Sequence, residues 1–289
     1  MAIRAAFFDV GDTLVEHWIP TEETLVKTRE RVCAAIGERP WLDEWLDIRD
    51  LEPRWNVSLA NAIVRRADDR GRFEPEEARQ ETLRWQRAWF EERGIDTEDI
   101  DLDDLRSRMC VPLDEISSPV AGAIDALRWC AERDLRVVLV TNTLWRGDVE
   151  ALEDWRRFGA ADAITGVVSS HSAGWRKPHP AIFERALEIA GVDPSETFHV
   201  GDNLIADVWG AQQLGIRAIW RRTDTHREMR EVRRANGVVD ECEHPSGRLL
   251  IHREDAVACL ACGGPTGVRV RPDAVIDDLT ELQAAVSRW

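Results

Sequence analysis

Four short stretches concentrate the side chains of this chain that could do chemistry. They are Asp9-Val10-Gly11-Asp12-Thr13, Thr141-Asn142, Arg176-Lys177-Pro178-His179-Pro180, and Gly201-Asp202-Asn203 with Asp207 a short way on. A carboxylate at the C-terminal end of a parallel strand lies where open α/β sheets bind their ligands. Asp-Gly-Asp, Thr-Asn and Gly-Asp are also ordinary turn sequences, so no single stretch is specific. All four in this order, at βαβ spacing, point to one shared crevice. The lysine adds weight. Only two of the 38 lysines and arginines are lysine, Lys27 and Lys177. Lysine is a compact point charge where arginine is a planar fork, so a lysine at 177 signals a need for an ammonium there. A solvated surface lysine is the bland alternative.

The elements that must position these residues can be read in outline. Residues 3–9 form a first, buried strand. Residues 15–118 predict helix almost throughout. Thr21 to Ile36 carries Leu25, Val26, Val32 and Ile36 near helical period and is ended by Gly37 and Pro40. Trp41 to Ile48 and Trp55 to Val64 predict short helices. Pro75 opens a helix to about Arg93, with Gly94 after its end. Thr97 to Cys110 predicts another. From Pro119 the pattern changes. Helices at Ala121–Arg133, Asp148–Phe158, Pro180–Ala190 and Asp207–Leu214 alternate with strands at 135–140, 163–169, 197–200 and 217–220. A last strand at Ala274–Ile276 and a helix from Leu279 to Trp289 close the chain. Such alternation argues for a parallel sheet with helices on both faces.

At this point the four stretches resemble the motifs of the haloacid dehalogenase-like hydrolase superfamily, over residues 3–14 and 119–222 plus the last strand and helix. The resemblance implies an α/β fold, a doubly wound, Rossmann-like parallel sheet. The core would comprise residues 1–14, 119–222 and 272–289. Residues 15–118 are similar to the family's first type of helical cap, and 223–271 are a second insertion. The implied activity is that of a hydrolase, a phosphatase of a small phosphorylated metabolite working through an aspartyl-phosphate. Asp9 matches the nucleophile. Asp9, the Gly11 carbonyl and Asp202 match the ligands of Mg²⁺, a hard cation suited to oxygen donors. Asp207 is similar to the acid that supports the metal or the lysine. Thr141, through its hydroxyl, and Asn142, through its backbone N–H, match the phosphate-binding pair. Lys177 matches the group that offsets charge in the transition state.

One departure stands out. Phosphatases of this family usually carry a general acid/base aspartate two residues after the nucleophile, and here that position is Gly11. Proton transfer to a leaving oxygen contributes about 10²–10⁴-fold. Asp12 swinging in, Glu16 or His17 from the cap, a good leaving group, and slow turnover are all open. So is a purely structural Asp12. Two further readings follow: a weakly catalytic phosphate-binding or regulatory protein, and a 2-haloacid dehalogenase. In the cap, the tryptophans at 41, 45, 55, 85 and 89 read as a core of their own rather than an aromatic cage. His17 and Trp18 lie near enough in sequence to reach the site.

The second insertion carries Cys242-Glu243-His244 and Cys259-Leu260-Ala261-Cys262. This thiolate and imidazole set suits structural Zn²⁺ held by Cys242, His244, Cys259 and Cys262, as in a zinc ribbon. Unpaired thiols or a redox pair are the alternative. Cys33, Cys110 and Cys130 are scattered in helical segments and read as buried thiols. The net charge of −16 argues against nucleic-acid and anionic membrane partners, since both need a basic footprint. No targeting segment precedes Asp9, and no run approaches the ~18 apolar residues of a membrane helix. The expectation is a cytoplasmic protein.

Overall fold

In the computed structural model, the N-terminal apolar run is the central strand of a six-stranded sheet. The structure describes residues 2–17, 21–46, 82–143, 145–223, 250–252, 256–259 and 265–289. Strand β1 (Ala5–Phe8) is buried on both sides. Ala6 and Phe8 pack in one layer with Val137, Leu139, Phe198 and Val200. Ala5 and Phe7 pack in the other with Val138, Val140 and Phe183. Two-sided burial is what a parallel sheet requires, and it explains runs with no polar alternation.

After β1 the chain makes β2 (Val15–His17), crosses the cap, and returns through β3 (Ser117–Pro119). The two strands pair antiparallel, Val15 opposite Pro119 and His17 opposite Ser117. The sequence predicts helix almost throughout 15–118, but both ends are a two-stranded ribbon. Three-residue strands carry too little alternation to be told from a helix end. Between them run α1 (Thr21–Ile36), α2 (Leu42–Leu46), α3 (Thr82–Glu92) and α4 (Leu102–Arg108). Helix α4 is shorter than the predicted 97–110, because Asp101 caps it by accepting from the N–H groups of Asp103 and Asp104. Val32, Leu42, Trp45, Phe90, Ile100 and Leu105 form the cap's own core. Trp41 meets Phe90 edge-on at 4.9 Å and Trp45 at 6.2 Å. The predicted helix at 55–64, Trp18 and Trp55 lie outside the described residues.

The core continues with α5 (Ala123–Ala131), β4 (Arg136–Thr141), α6 (Asp148–Arg157), β5 (Gly166–Ser169), α7 (Ser170–Ala173), α8 (Pro180–Ala190) and β6 (Thr197–Gly201). A π-helical turn (Leu204–Trp209) leads into α9 (Gly210–Gln212) and β7 (Arg217–Arg221). The predicted helix at 207–214 therefore begins earlier. Asn203 caps it by accepting from the N–H groups of Ile205 and Ala206, which puts Asp207 inside the wide turn. In the second insertion β8 (Leu250–His252), β9 (Ala256–Cys259) and β10 (Pro265–Arg269) form a separate antiparallel sheet. Strand β11 (Ala274–Ile276) and helix α10 (Leu282–Val286) complete the core. The large sheet has the order β11-β7-β6-β1-β4-β5, with every pair parallel. Of the zinc set, Cys242, His244 and Cys262 lie outside the described residues, and Cys259 ends β9. Cys110 and Cys130 are buried thiols, and Cys33 is only half-buried. Among the described residues no helix is long and apolar enough to cross a membrane.

Cap and core are clasped beside β4. Trp145, from the loop after β4, joins the cap core at 6.0 Å from Trp45. Arg106 of α4 donates to the Trp145 carbonyl and, at 2.8 Å, to Glu150 of α6. Arg146 pairs with buried Asp154 and donates to the Val111 carbonyl at 2.6 Å. Asp154 also accepts from the Leu113 N–H at 2.9 Å. Truncating one partner of a buried ion pair strands the other. Asp154→Ala should therefore lower the unfolding free energy by about 3 kcal/mol in urea titrations. Asp154→Asn, which keeps an acceptor for Leu113, should lose less, and equal losses would contradict this assignment.

Candidate active site

The strand order turns at β1. Successive strands step outward through β4 and β5 on one side and through β6, β7 and β11 on the other. The crevice at such a switch point is bordered by the C-terminal ends of β1 and its two neighbours. Phe8 is in register with Leu139 of β4 and Val200 of β6. Asp9 follows Phe8, Gly201 and Asp202 follow Val200, and on β4 Val140 leads to Thr141 and Asn142 at the strand end. The predicted juxtaposition of three strand ends thus follows from register alone.

Lys177 enters from the segment before α8 and is fully buried. Its Nζ donates to Asp9 Oδ1 at 2.5 Å and to Asp207 Oδ1 at 2.7 Å. The lysine is held by its main chain as well. Asn142 Nδ2 donates to the Lys177 carbonyl at 3.0 Å, and the Lys177 N–H donates to Asn142 Oδ1 at 2.8 Å. The side chain of Asn142 is therefore engaged in a clamp on the lysine. Thr141 is buried at the end of β4. Thr13 Oγ1 donates to Asp9 Oδ2 at 3.0 Å, a contact that the Asp-x-x-x-Thr spacing could have suggested.

Asp207 is saturated. Its Oδ1 meets Lys177 and, at 2.9 Å, His199 Nε2, and its Oδ2 accepts the Asn203 N–H at 3.0 Å. Gly201 makes room for it, since a Cβ there would sit 2.2 Å from Asp207 Cγ. His199 had no place among the expected site residues, because a histidine inside an apolar strand carries no spacing signal.

Asp12 lies on the turn beyond. It is exposed, with φ of 53°. Its N–H bonds to the Val15 carbonyl at 2.9 Å, and its own carbonyl accepts Arg221 Nη1 at 2.5 Å. The left-handed conformation is one that aspartate tolerates better than most residues. Gly11 is exposed and bridged to Val15. Glu16 is exposed on β2, opposite Ser118.

The electrostatics divide the carboxylates into two kinds. Burial raises Asp207, but Lys177 and the His199 hydrogen bond outweigh it and hold Asp207 well below the usual carboxylate range. Burial pushes Asp9 up to about 6 despite the nearby lysine. Asp202 is pushed well up by burial beside Asp9, Asp207 and Asp12. Burial tends to lower Lys177, yet Asp207 and Asp9 prevail and hold it above its ordinary value. One ammonium thus faces more anionic groups than it can offset. Carboxylate oxygens of Asp9, Asp202 and Asp207 lie within 4.8 Å of one another. This all-oxygen, electron-rich set fits a hard divalent cation. Because Asp207 is already occupied by three donors, Asp9 and Asp202 are the freer ligands.

A family model described as haloacid dehalogenase-like hydrolase matches residues 3–215. Human haloacid dehalogenase-like hydrolase domain-containing protein 3 is 37% identical over 97 residues, 33% of this chain and 36% of that protein. A glyceraldehyde 3-phosphate phosphatase from Pyrococcus abyssi is 34% identical over 101 residues, 35% of this chain and 41% of that enzyme. The chain thus spans well under half the length of these curated relatives. L-2-haloacid dehalogenase from Xanthobacter autotrophicus, solved with chloropropionic acid covalently bound, shares the fold. Its TM-score is 0.53 at 15% identity, covering 99% of this chain and 98% of that one.

The raised Asp9 carboxyl sets the sign of a pH dependence in chelator-treated protein. Its proton is held more tightly in the folded than in the unfolded state. The stability it contributes is full below the ordinary value of 3.8 and is lost as pH rises through about 6. The Asp9 contribution to the urea midpoint should fall between pH 4 and pH 7 (roughly the interval between the unfolded and folded values), against the opposite contribution of buried His199. Asp9→Asn should flatten that fall, and an unchanged slope in the variant would contradict it.

Proposed function

This chain belongs to the haloacid dehalogenase-like hydrolase family, and we propose that it is a Mg²⁺-dependent phosphatase of a small phosphorylated metabolite. The observation that carries the reading is the buried contact of Lys177 Nζ with Asp9 Oδ1 at 2.5 Å, at the switch point of the sheet. A carboxylate so placed has a counter-charge that also suits an incoming phosphoryl group. Asp9 attacks phosphorus, forming an Asp9 oxygen–phosphorus bond as the bond to the leaving oxygen breaks. Water then attacks the aspartyl-phosphate, releasing inorganic phosphate and restoring Asp9. Lys177 offsets charge on the phosphoryl oxygens throughout, with Asp207 holding it in place. Thr141 and the Asn142 N–H bind phosphoryl oxygens. Asp9, Asp202 and the Gly11 carbonyl would hold a Mg²⁺ ion, which would supply charge neutralisation for the phosphoryl group. The similarity to an archaeal glyceraldehyde 3-phosphate phosphatase supports the reaction class, though it covers too little of either chain to transfer the substrate.

The missing acid favours a second reading, a weakly catalytic phosphate-binding or regulatory protein on the same scaffold. With Gly11 in that place, the leaving oxygen has no carboxyl of its own and Asp12 stands one residue off. The phosphatase reading therefore carries a corollary: preference for substrates whose leaving group needs no proton.

Asp9→Asn, and separately chelation of divalent cations, should each abolish hydrolysis of p-nitrophenyl phosphate measured by nitrophenolate release. Phosphate-induced thermal stabilisation with no turnover across a broad ester panel would favour the binding reading. Chloride release from 2-chloropropionate without Mg²⁺ would favour the dehalogenase.

A carboxylate can be restored at the vacant position. A Cβ at Gly11 would meet nothing within 4 Å, and its backbone is not in the left-handed region. Gly11→Asp should raise kcat on an alkyl phosphate such as glycerol phosphate by about 10²-fold, with less gain on p-nitrophenyl phosphate. Equal gain on both would show that proton transfer is not what the wild type lacks.

A further inference from the structure

His199 stands in the middle of β6, and the strand's alternation turns it away from Phe198 and Val200 into the opposite layer. Its register neighbours are Phe7 on β1 and Ala218 on β7. Phe183 of α8 meets its ring edge-on at 5.2 Å. The side chain has no solvent exposure. Everything about this position calls for a valine, isoleucine or phenylalanine. The histidine there also leaves a polar atom stranded, since its Nδ1 has no hydrogen-bond partner. Retaining a half-satisfied ring in an apolar layer costs stability, so the ring is kept for its other nitrogen.

That nitrogen, Nε2, lies 2.9 Å from Asp207 Oδ1. Asp207 is an acceptor only, being held ionised by Lys177. The hydrogen must therefore be on Nε2, with the Nδ1 lone pair facing the apolar layer. Oδ1 of Asp207 then receives two donors, His199 Nε2–H and Lys177 Nζ, while Oδ2 receives the Asn203 N–H. Three donors from three directions fix the plane of the carboxylate. Without the imidazole, Oδ1 keeps only the lysine, and the two side chains can swing together.

We infer that His199 is a positioning residue of the active site. It touches neither substrate nor metal ligand Asp202, but holds the Asp207 carboxylate that aims Lys177 at Asp9 and the phosphoryl group. The inference rests on the phosphatase reading for its kinetic consequence and on geometry alone for the hydrogen bond.

Two variants separate positioning from packing. His199→Phe suits the apolar layer and removes the donor. His199→Gln keeps an N–H donor on a side chain of similar reach. With p-nitrophenyl phosphate and Mg²⁺, His199→Phe should fold with a urea midpoint at or above that of the wild type. Its kcat should fall about 10–100-fold with KM nearly unchanged, the scale seen when a partner orienting a site group is removed. His199→Gln should recover most of that loss. Wild-type kcat in His199→Phe, or equal losses in both variants, would overturn the inference. Two-bond ¹H–¹⁵N spectra of histidine-labelled protein supply a readout independent of turnover. They should show the proton of His199 on Nε2, and a proton on Nδ1 overturns the proposal. If the wild type hydrolyses no ester, the phosphatase reading fails, and the spectra alone decide whether His199 anchors Asp207.

Discussion

An ammonium removed from water must find anions, and everything at the centre of this protein follows from where it finds them. Lys177 has two, Asp9 and Asp207, at 2.5 and 2.7 Å. Asp9 follows β1, Asp207 lies in the π-helical turn after β6, and the lysine comes from a third segment. Burying such a cluster is costly unless its geometry is fixed and its remaining valences are filled. The surrounding structure does the fixing. Asn142 clamps the lysine's peptide, Thr13 takes the other oxygen of Asp9, and the wide turn after Asn203 brings Asp207 against the bare backbone of Gly201. Each of these serves the one charge arrangement rather than its own strand or helix.

The same constraint separates groups that carry charge from groups that wait for it. Lys177 and Asp207 form a settled ion pair. Asp9 shares that lysine, Asp202 crowds the same space, and burial pushes both carboxyls upward. A site left with this imbalance favours an incoming divalent ion without any ligand having to be recruited from elsewhere. The loop after β4 joins this centre to the cap, since the chain runs from Asn142 to Trp145, which is packed among cap aromatics, and on to Arg146 and its partner Asp154. Few residues separate the clamp on Lys177 from the core of the cap.

Much of this was legible in the sequence, and the reasons are specific. Long buried runs such as Arg136–Thr141, and capped helices such as Pro180–Ala190 with Gly191 after it, announce themselves because period and termini agree. Asp9, Lys177, Asp202 and Asp207 could be gathered because a parallel sheet sends all its strand ends to one edge. What escaped was short, or carried by geometry with no spacing rule. The β2–β3 ribbon offers three residues a side. The turn holding Asp207 starts early because of a cap by Asn203 and is π-wound, a form frequent at functional sites and not encoded by hydrophobic period. The Asn142 clamp and the His199 contact join residues far apart in sequence, and only the folded sheet pairs them.

The β2–β3 ribbon also changes what the cap is to the rest of the molecule. Seen from the sheet, the cap is the loop of a hairpin whose two stems are already paired, with His17 facing Ser117. The entropy of closing a loop grows only with the logarithm of its length, about 0.6 kcal/mol for each doubling. Even this long insertion therefore costs only about 3 kcal/mol more in closure than a tight turn, a cost that the pairing of its stems helps to offset. The strands that carry the chemistry keep their pairing at the base of the insertion, and the cap bears on them through Trp145, Arg146 and Glu150.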